Sequence, residues 1–67
     1  MDTKKLGKRI KLARVERGLT QVQLAQKIHA KQKTISLYER GLSVPPLDNL
    51  LKLAKALKKP AAYFLVG

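Results

Sequence analysis

Between Thr20 and Gly41 the chain reads TQVQLAQKIHAKQKTISLYERG, and this stretch restricts the fold more than any other. Thr20 is a residue type that caps helix N-termini, and Gln23, three positions on, completes a reciprocal capping pair. Leu24, Ala25 and Ile28 then recur at helical spacing. After a break at His29-Ala30 the apolar pattern resumes with Ile35 and Tyr38, and Gly41 ends it. The pattern predicts two short helices joined by a tight corner.

That arrangement is the helix-turn-helix, in which the second helix is shaped to lie in the DNA major groove. Its polar positions here are Lys31, Gln32, Lys33, Thr34 and Ser36. None is acidic, so the face can approach phosphates without repulsion.

Composition agrees. Fifteen Lys and Arg against four acids give a net charge of +11 on 67 residues, which predicts affinity for a polyanion without saying which one. The length allows one domain over residues 1–67, near the lower limit for a core that folds without covalent or metal staples. There is no Cys, hence no disulfide and no thiolate metal site, as is usual in the cytosol. The longest uninterrupted apolar run, Ala61 to Val66, is far too short to span a membrane. No apolar signal core follows the N-terminal lysines. A soluble, cytoplasmic, nucleoid-associated protein is the expectation.

Enzyme chemistry finds little material. His29 is the lone imidazole, and the acids Asp2, Glu16, Glu39 and Asp48 are far apart in sequence. No dinucleotide-binding, phosphate-loop or zinc-protease motif is present. The reading is a non-enzyme with no catalytic residues, no cofactor and no metal.

Along the chain, Lys4 to Arg17 reads as a first helix, with Leu6, Ile10 and Ala13 on one face and Arg14 and Arg17 extending that line. Thr3 is the expected N-cap and Gly18 the stop. Gly7 inside the helix costs about 1 kcal/mol against Ala, which points to a close approach by another backbone. The second helix runs from Gln21 to about His29 and the third from about Gln32 to Arg40. GLSVPP, residues 41–46, is a loop by composition. A fourth helix follows over Leu47 to Lys58, its buried stripe being Leu50, Leu53, Ala54 and Leu57. A last helical turn spans Pro60 to about Leu65. The fold expectation is all-α: five short helices around one small core, with the helix-turn-helix over about 20–40.

With these blocks in order, LGKRIKLARVERGLTQVQLAQKI, then KTISLYERG, then LDNLLKLAKAL, the chain resembles the Xre/Cro family of helix-turn-helix regulators, which includes the lambdoid phage repressors. The resemblance covers roughly residues 6 to 65. It implies a compact five-helix bundle, and operator binding as a dimer by a prokaryotic or phage transcriptional regulator. It also implies roles by position. Gln21 matches a glutamine that contacts a phosphate and braces the third helix. Gln32, Lys33, Ser36 and Leu37 match positions that face base edges. Arg14 and Glu39 match an internal salt bridge between the first and third helices. Lys31, near the start of the third helix, is assigned to phosphate contact, as are Arg40 and Ser43 around its end. Three positions depart from the family pattern. His29 and Lys58 stand where glycine is usual, and Lys31 stands where Ser, Thr or Asp would cap the third helix.

Side-chain chemistry fits the base-facing assignment. Gln suits adenine N6 and N7, and Lys suits guanine O6 and N7. Leu37 lies two residues after Ile35 and so points away from the Ile35–Tyr38 stripe; a surface leucine and a contact to a thymine methyl are both open. The basic residues from Lys4 to Arg17 read mainly as a solvated face, with one or two near the DNA backbone. Tyr63, Phe64 and Val66 are either core or part of a surface for a second copy. The expected partner is double-stranded DNA, bound as a homodimer, with no membrane. Three rivals remain: an antitoxin or restriction-modification controller of the same fold, a protein-interaction module that has lost DNA reading, and a cationic membrane-surface peptide. The ending at Gly67 fits either a small complete protein or one domain of a longer regulator.

Overall fold

A computed structural model describes residues 2–65. Four helices and one further turn account for its regular structure: α1 (Thr3–Glu16), α2 (Gln21–Lys27), α3 (Gln32–Glu39), α4 (Leu47–Leu57) and the single turn α5 (Ala61–Phe64). The class is all-α, and no strand occurs among the described residues. The expected five-helix bundle is therefore four helices plus a turn. Pro60 opens α5, but Tyr63 N–H bonds Pro60 O and Leu65 N–H bonds Ala62 O, both tight i to i+3 bonds.

Every element contributes to one core. Ile10 of α1, Leu24 of α2, Ile35 of α3, Leu53 and Leu57 of α4 and Phe64 of α5 are fully buried. The four residues expected to form the inner stripe of α4, Leu50, Leu53, Ala54 and Leu57, are all buried. α1 packs along α3, with α2 on another side of α3, while α4 and α5 close the core beneath α1. Gly7 lies where α1 crosses the end of α3.

The helix ends differ from the expected bounds in a consistent way. Asp2, not Thr3, caps α1, its carboxylate accepting from Lys4 N–H at 3.0 Å and Lys5 N–H at 3.2 Å. A carboxylate satisfies two of the orphan donors there and also suits the positive end of the helix dipole. These backbone hydrogen bonds, Lys5 first, hold the Asp2 carboxyl below its ordinary pKa. At the other end, Arg17 is exposed because the helix has already turned off; it is the C-cap, not an extension of the buried line.

All four longer helices stop by the same device. One residue turns left-handed, and two N–H groups close back onto the last carbonyls. After α1 this residue is Gly18 (φ 68°), with Gly18 N–H on Val15 O and Leu19 N–H on Arg14 O. After α3 it is Gly41 (φ 73°), with Leu42 N–H on Leu37 O. After α2 and α4 it is His29 (φ 57°) and Lys58 (φ 55°), with Ala30 N–H on Ala25 O and Lys59 N–H on Ala54 O. The sequence pattern predicts α2 as far as His29 and α4 as far as Lys58. Both stop earlier, because those two residues occupy the glycine conformation.

Candidate nucleic-acid interface

The position of α3 is fixed from within. Ile35 and Tyr38 are buried, and the Tyr38 hydroxyl accepts from Asn49 Nδ2 at 3.1 Å, which ties the end of α3 to α4. Glu39, the next residue, turns inward as well. Arg14 grips it in the two-pronged way a guanidinium grips a carboxylate: Nε to Oε2 at 2.6 Å and Nη2 to Oε1 at 3.1 Å. Their side chains are 12% and 3% exposed, so this pair is largely withdrawn from water. The third donor of Arg14, Nη1, reaches Leu19 O at 2.8 Å, in the link between α1 and α2. One guanidinium thus joins α1, the α1–α2 link and α3.

Gln21 completes the arrangement. It begins α2, behind Thr20, whose hydroxyl accepts from Gln23 N–H while Gln23 Oε1 accepts from Thr20 N–H. The capping pair read in the sequence is present and sets the first turn of α2. From that turn the Gln21 amide donates to Glu39 Oε1 at 3.1 Å. Its oxygen faces Gln32 Nε2 at 3.5 Å, a long contact at the margin of hydrogen bonding. A polar chain therefore runs Arg14, Glu39, Gln21, Gln32, from the interior to the outer edge of α3.

On that outer edge Lys31, Gln32, Lys33 and Arg40 are exposed, and Ser36 and Leu37 are half-buried. Gln32 with Ser36, and Lys33 with Leu37, stand four apart on adjoining ridges of the helix. Arg40 folds back on α3, its Nε donating to Ser36 O at 3.3 Å. Ser43 is half-buried in the loop beyond Gly41. Lys31 is the N-cap and its side chain makes no capping hydrogen bond, so the first turn of α3 is not closed by its own sequence. The outward face of α3 carries no acid, because Glu39, the one acidic residue of the helix, is consumed by Arg14 and Gln21.

Among the described residues, no three His, Cys, Asp or Glu side chains gather where a metal ion could be held. No described helix is long and apolar enough to cross a membrane.

The family model HTH_3, described as helix-turn-helix, matches residues 10–64, and the chain belongs to that family. It is 40% identical over 60 residues to the HTH-type transcriptional regulator ImmR of Bacillus subtilis, covering 90% of this chain and 47% of ImmR. It is 49% identical over 61 residues to multiprotein-bridging factor 1 of Debaryomyces hansenii, covering 85% of this chain and 41% of that protein. The chain spans about half, or less, of the length of these relatives. The solution structure of the DNA-binding domain of the P22 C2 repressor, from Salmonella phage P22, superimposes with a TM-score of 0.90 at 34% identity, over all of this chain and 88% of that one.

Some features near the site had no counterpart in the sequence reading. Asn49, which buttresses Tyr38, sits on α4 among leucines and carries no motif signal. By composition the apolar residues of the α3–α4 connection and the start of α4 belong to a loop and a helix start. Leu42, Val44, Leu47 and Leu51 are in fact all more than half exposed. The run of Leu and Val within GLSVPP, a segment otherwise composed as a loop, was the available clue. Phe64 is fully buried and Tyr63 half-buried, while Val66, grouped with them, lies outside the described residues.

Proposed function

We propose that this chain is a sequence-specific, double-stranded DNA-binding domain of a transcriptional regulator of the repressor type. α3 enters the major groove. Gln32, Lys33, Ser36 and Leu37 meet base edges, while Gln21, Lys31, Arg40 and Ser43 hold phosphates. The observation that carries the reading is the polar chain from Arg14 through Glu39 and Gln21 to Gln32. It withdraws the acid of α3 from the surface and fixes the angle at which an acid-free face is offered. The open first turn of α3 leaves backbone N–H groups directed at an incoming phosphate. No cofactor or metal enters this scheme, and it suits a cytoplasmic, nucleoid-associated protein.

The bound form is a homodimer on a palindromic operator. The longest dimension of the backbone is 27 Å, whereas successive major-groove faces on one side of B-DNA lie about 34 Å apart, so one copy reads one half-site.

Selection of bound sequences from a random duplex pool tests the proposal, followed by anisotropy titrations of the selected site at several salt concentrations. The expected results are a site with two-fold symmetry and a steep salt dependence. About six neutralised phosphates per domain give a slope of log K against log[salt] near −5. An unenriched pool, or a slope near zero, would overturn it.

A further inference from the structure

A second surface stands apart from α3. α1 meets α3 along one side, through Gly7 and Arg14, and α5 along another, where Arg9 Nη1 donates to Tyr63 O at 3.0 Å. Between that α5 contact and solvent runs an open groove of about 330 Å³, lined by Lys5, Lys8, Arg9, Leu12 and Tyr63. Leu12 and, one turn along the same outward side of α1, Val15 are each 59% exposed. The Arg9 guanidinium stands 5.2 Å and the Lys59 ammonium 4.9 Å from the centre of the Tyr63 ring. The nearby acid, Glu16, is already paired with Lys59 at 3.4 Å.

Two properties of this face select its occupant. Its charged lining residues, Lys5, Lys8 and Arg9, are all cationic, so the partner is anionic. Its centre is aliphatic and aromatic, and two large apolar side chains on the outer face of a helix gain nothing from a phosphate backbone. A polyanion of charge alone would leave Leu12 and Val15 in water. An amphipathic segment that places leucine-type residues over Leu12, Val15 and Tyr63, with carboxylates at its borders facing Lys5, Lys8 and Arg9, satisfies both.

The geometry points to the α1–α5 groove as a docking site for an acidic amphipathic helix of a partner protein, used while α3 remains free for DNA. The site does not depend on the DNA-binding reading, since none of its residues belongs to that interface.

The test is a titration of the ¹⁵N-labelled full chain with a 20-residue peptide of leucine and glutamate in helical heptads, followed by amide shifts. A poly-glutamate peptide of the same length and a random-sequence DNA duplex serve as separate titrants. Saturable shifts at Lys8, Leu12, Val15 and Tyr63 with the leucine–glutamate peptide are expected, and not with poly-glutamate. Leu12→Ser, which leaves the net charge and the buried core untouched, is expected to weaken the peptide about tenfold with unchanged DNA affinity. An unshifted spectrum overturns the proposal, as do equal shifts with poly-glutamate. Shifts on α3 instead of α1, or displacement of the peptide from α1 by the duplex, also overturn it, the last marking this face as a second nucleic-acid surface.

Discussion

Gly7 of α1 lies against the carbonyl of Tyr38 so closely that a Cβ at residue 7 would stand 2.5 Å from that oxygen, and 2.6 Å from the oxygen of Glu39. Both are backbone atoms at the end of α3 and cannot rotate aside. An exposed helix interior gains about 1 kcal/mol when Gly becomes Ala. Here the sign reverses, because overpacking of this kind costs about 1–3 kcal/mol and displaces α3 bodily. Gly7→Ala is expected to lower the melting temperature by several degrees and to weaken DNA binding beyond what unfolding accounts for. A melting temperature equal to or above the wild type would show that α1 and α3 can separate without loss.

Glu39 and Glu16 offer a controlled comparison of buried and exposed acids. Removing Glu39 strands the Arg14 guanidinium in a site where its partner is 3% exposed, which costs about 3–5 kcal/mol. Removing Glu16 breaks a surface pair with Lys59, whose side chains are 58% and 30% exposed, worth about 0–1 kcal/mol. A domain of this size has a total of about 3–10 kcal/mol to lose. Glu39→Ala is expected to melt far below Glu16→Ala in thermal unfolding followed by circular dichroism. Coincident melts would make Glu39 an ordinary surface acid.

Much of this was legible because it rests on local rules. The Thr20–Gln23 capping pair, the inner stripe of α4, the stop at Gly18 and the close approach at Gly7 follow from residue type and spacing, and the structure has each of them. Family resemblance marked His29 and Lys58 as stand-ins for glycine, and both adopt its conformation. What escaped depends on long-range placement. The Asn49–Tyr38 hydrogen bond and the Arg9–Tyr63 contact join residues 11 and 54 positions apart, so no window along the chain contains their cause. The exposure of Leu47 and Leu51 beside the buried Leu50 likewise depends on which side of α4 is covered.

The proposed base-reading and phosphate-gripping residues are separable by the kind of loss each is expected to produce. Gln32→Ala and Lys33→Ala are each expected to cost about 1–3 kcal/mol on the selected site and to relax preference at one base pair. Arg40→Ala is expected to weaken selected and random duplexes by similar factors and to flatten the salt slope by about one. Repeating the pool selection with each variant decides the matter. An unchanged selected sequence with Gln32→Ala or Lys33→Ala would place the recognition face elsewhere.

Asp2 makes the start of α1 sensitive to acid. Its carboxyl is held below the ordinary value of 3.8, first by the Lys5 N–H hydrogen bond. A depressed folded-state pKa means that the charged cap stabilises the fold above the unfolded value, and that this contribution is lost as pH falls through the folded one. Asn at this position keeps the capping geometry without a titrating group. Asp2→Asn is expected to show a shallower fall in melting temperature between neutral pH and the acid side of 3.8 than the wild type. Parallel pH profiles for the two proteins would show that the cap carries no linked proton.

His29 and Lys58 end their helices at φ 57° and 55°, in the conformation that Gly18 and Gly41 adopt after α1 and α3. A side chain there is strained by about 1–2 kcal/mol, because its Cβ crowds the following carbonyl. Glycine removes that strain but adds freedom to the unfolded chain, at about 0.5–1 kcal/mol. The net expectation is a gain of about 0.5–1 kcal/mol for each of His29→Gly and Lys58→Gly, with the hydrogen bonds of both helix ends retained. The two positions follow different helices, and each end closes on its own carbonyls, Ala25 and Gln26 in one case and Ala54 and Lys55 in the other. The gains should therefore add within about 0.5 kcal/mol. DNA affinity should stay unchanged for Lys58→Gly. For His29→Gly it should stay within about fivefold, since the corner keeps its shape and a net 0.5–1 kcal/mol is no more than a factor of about five. Denaturant titration of the two single variants and the double variant checks this. A loss of stability in either single variant would mean that the His29 or Lys58 side chain makes a compensating interaction stronger than the strain it carries.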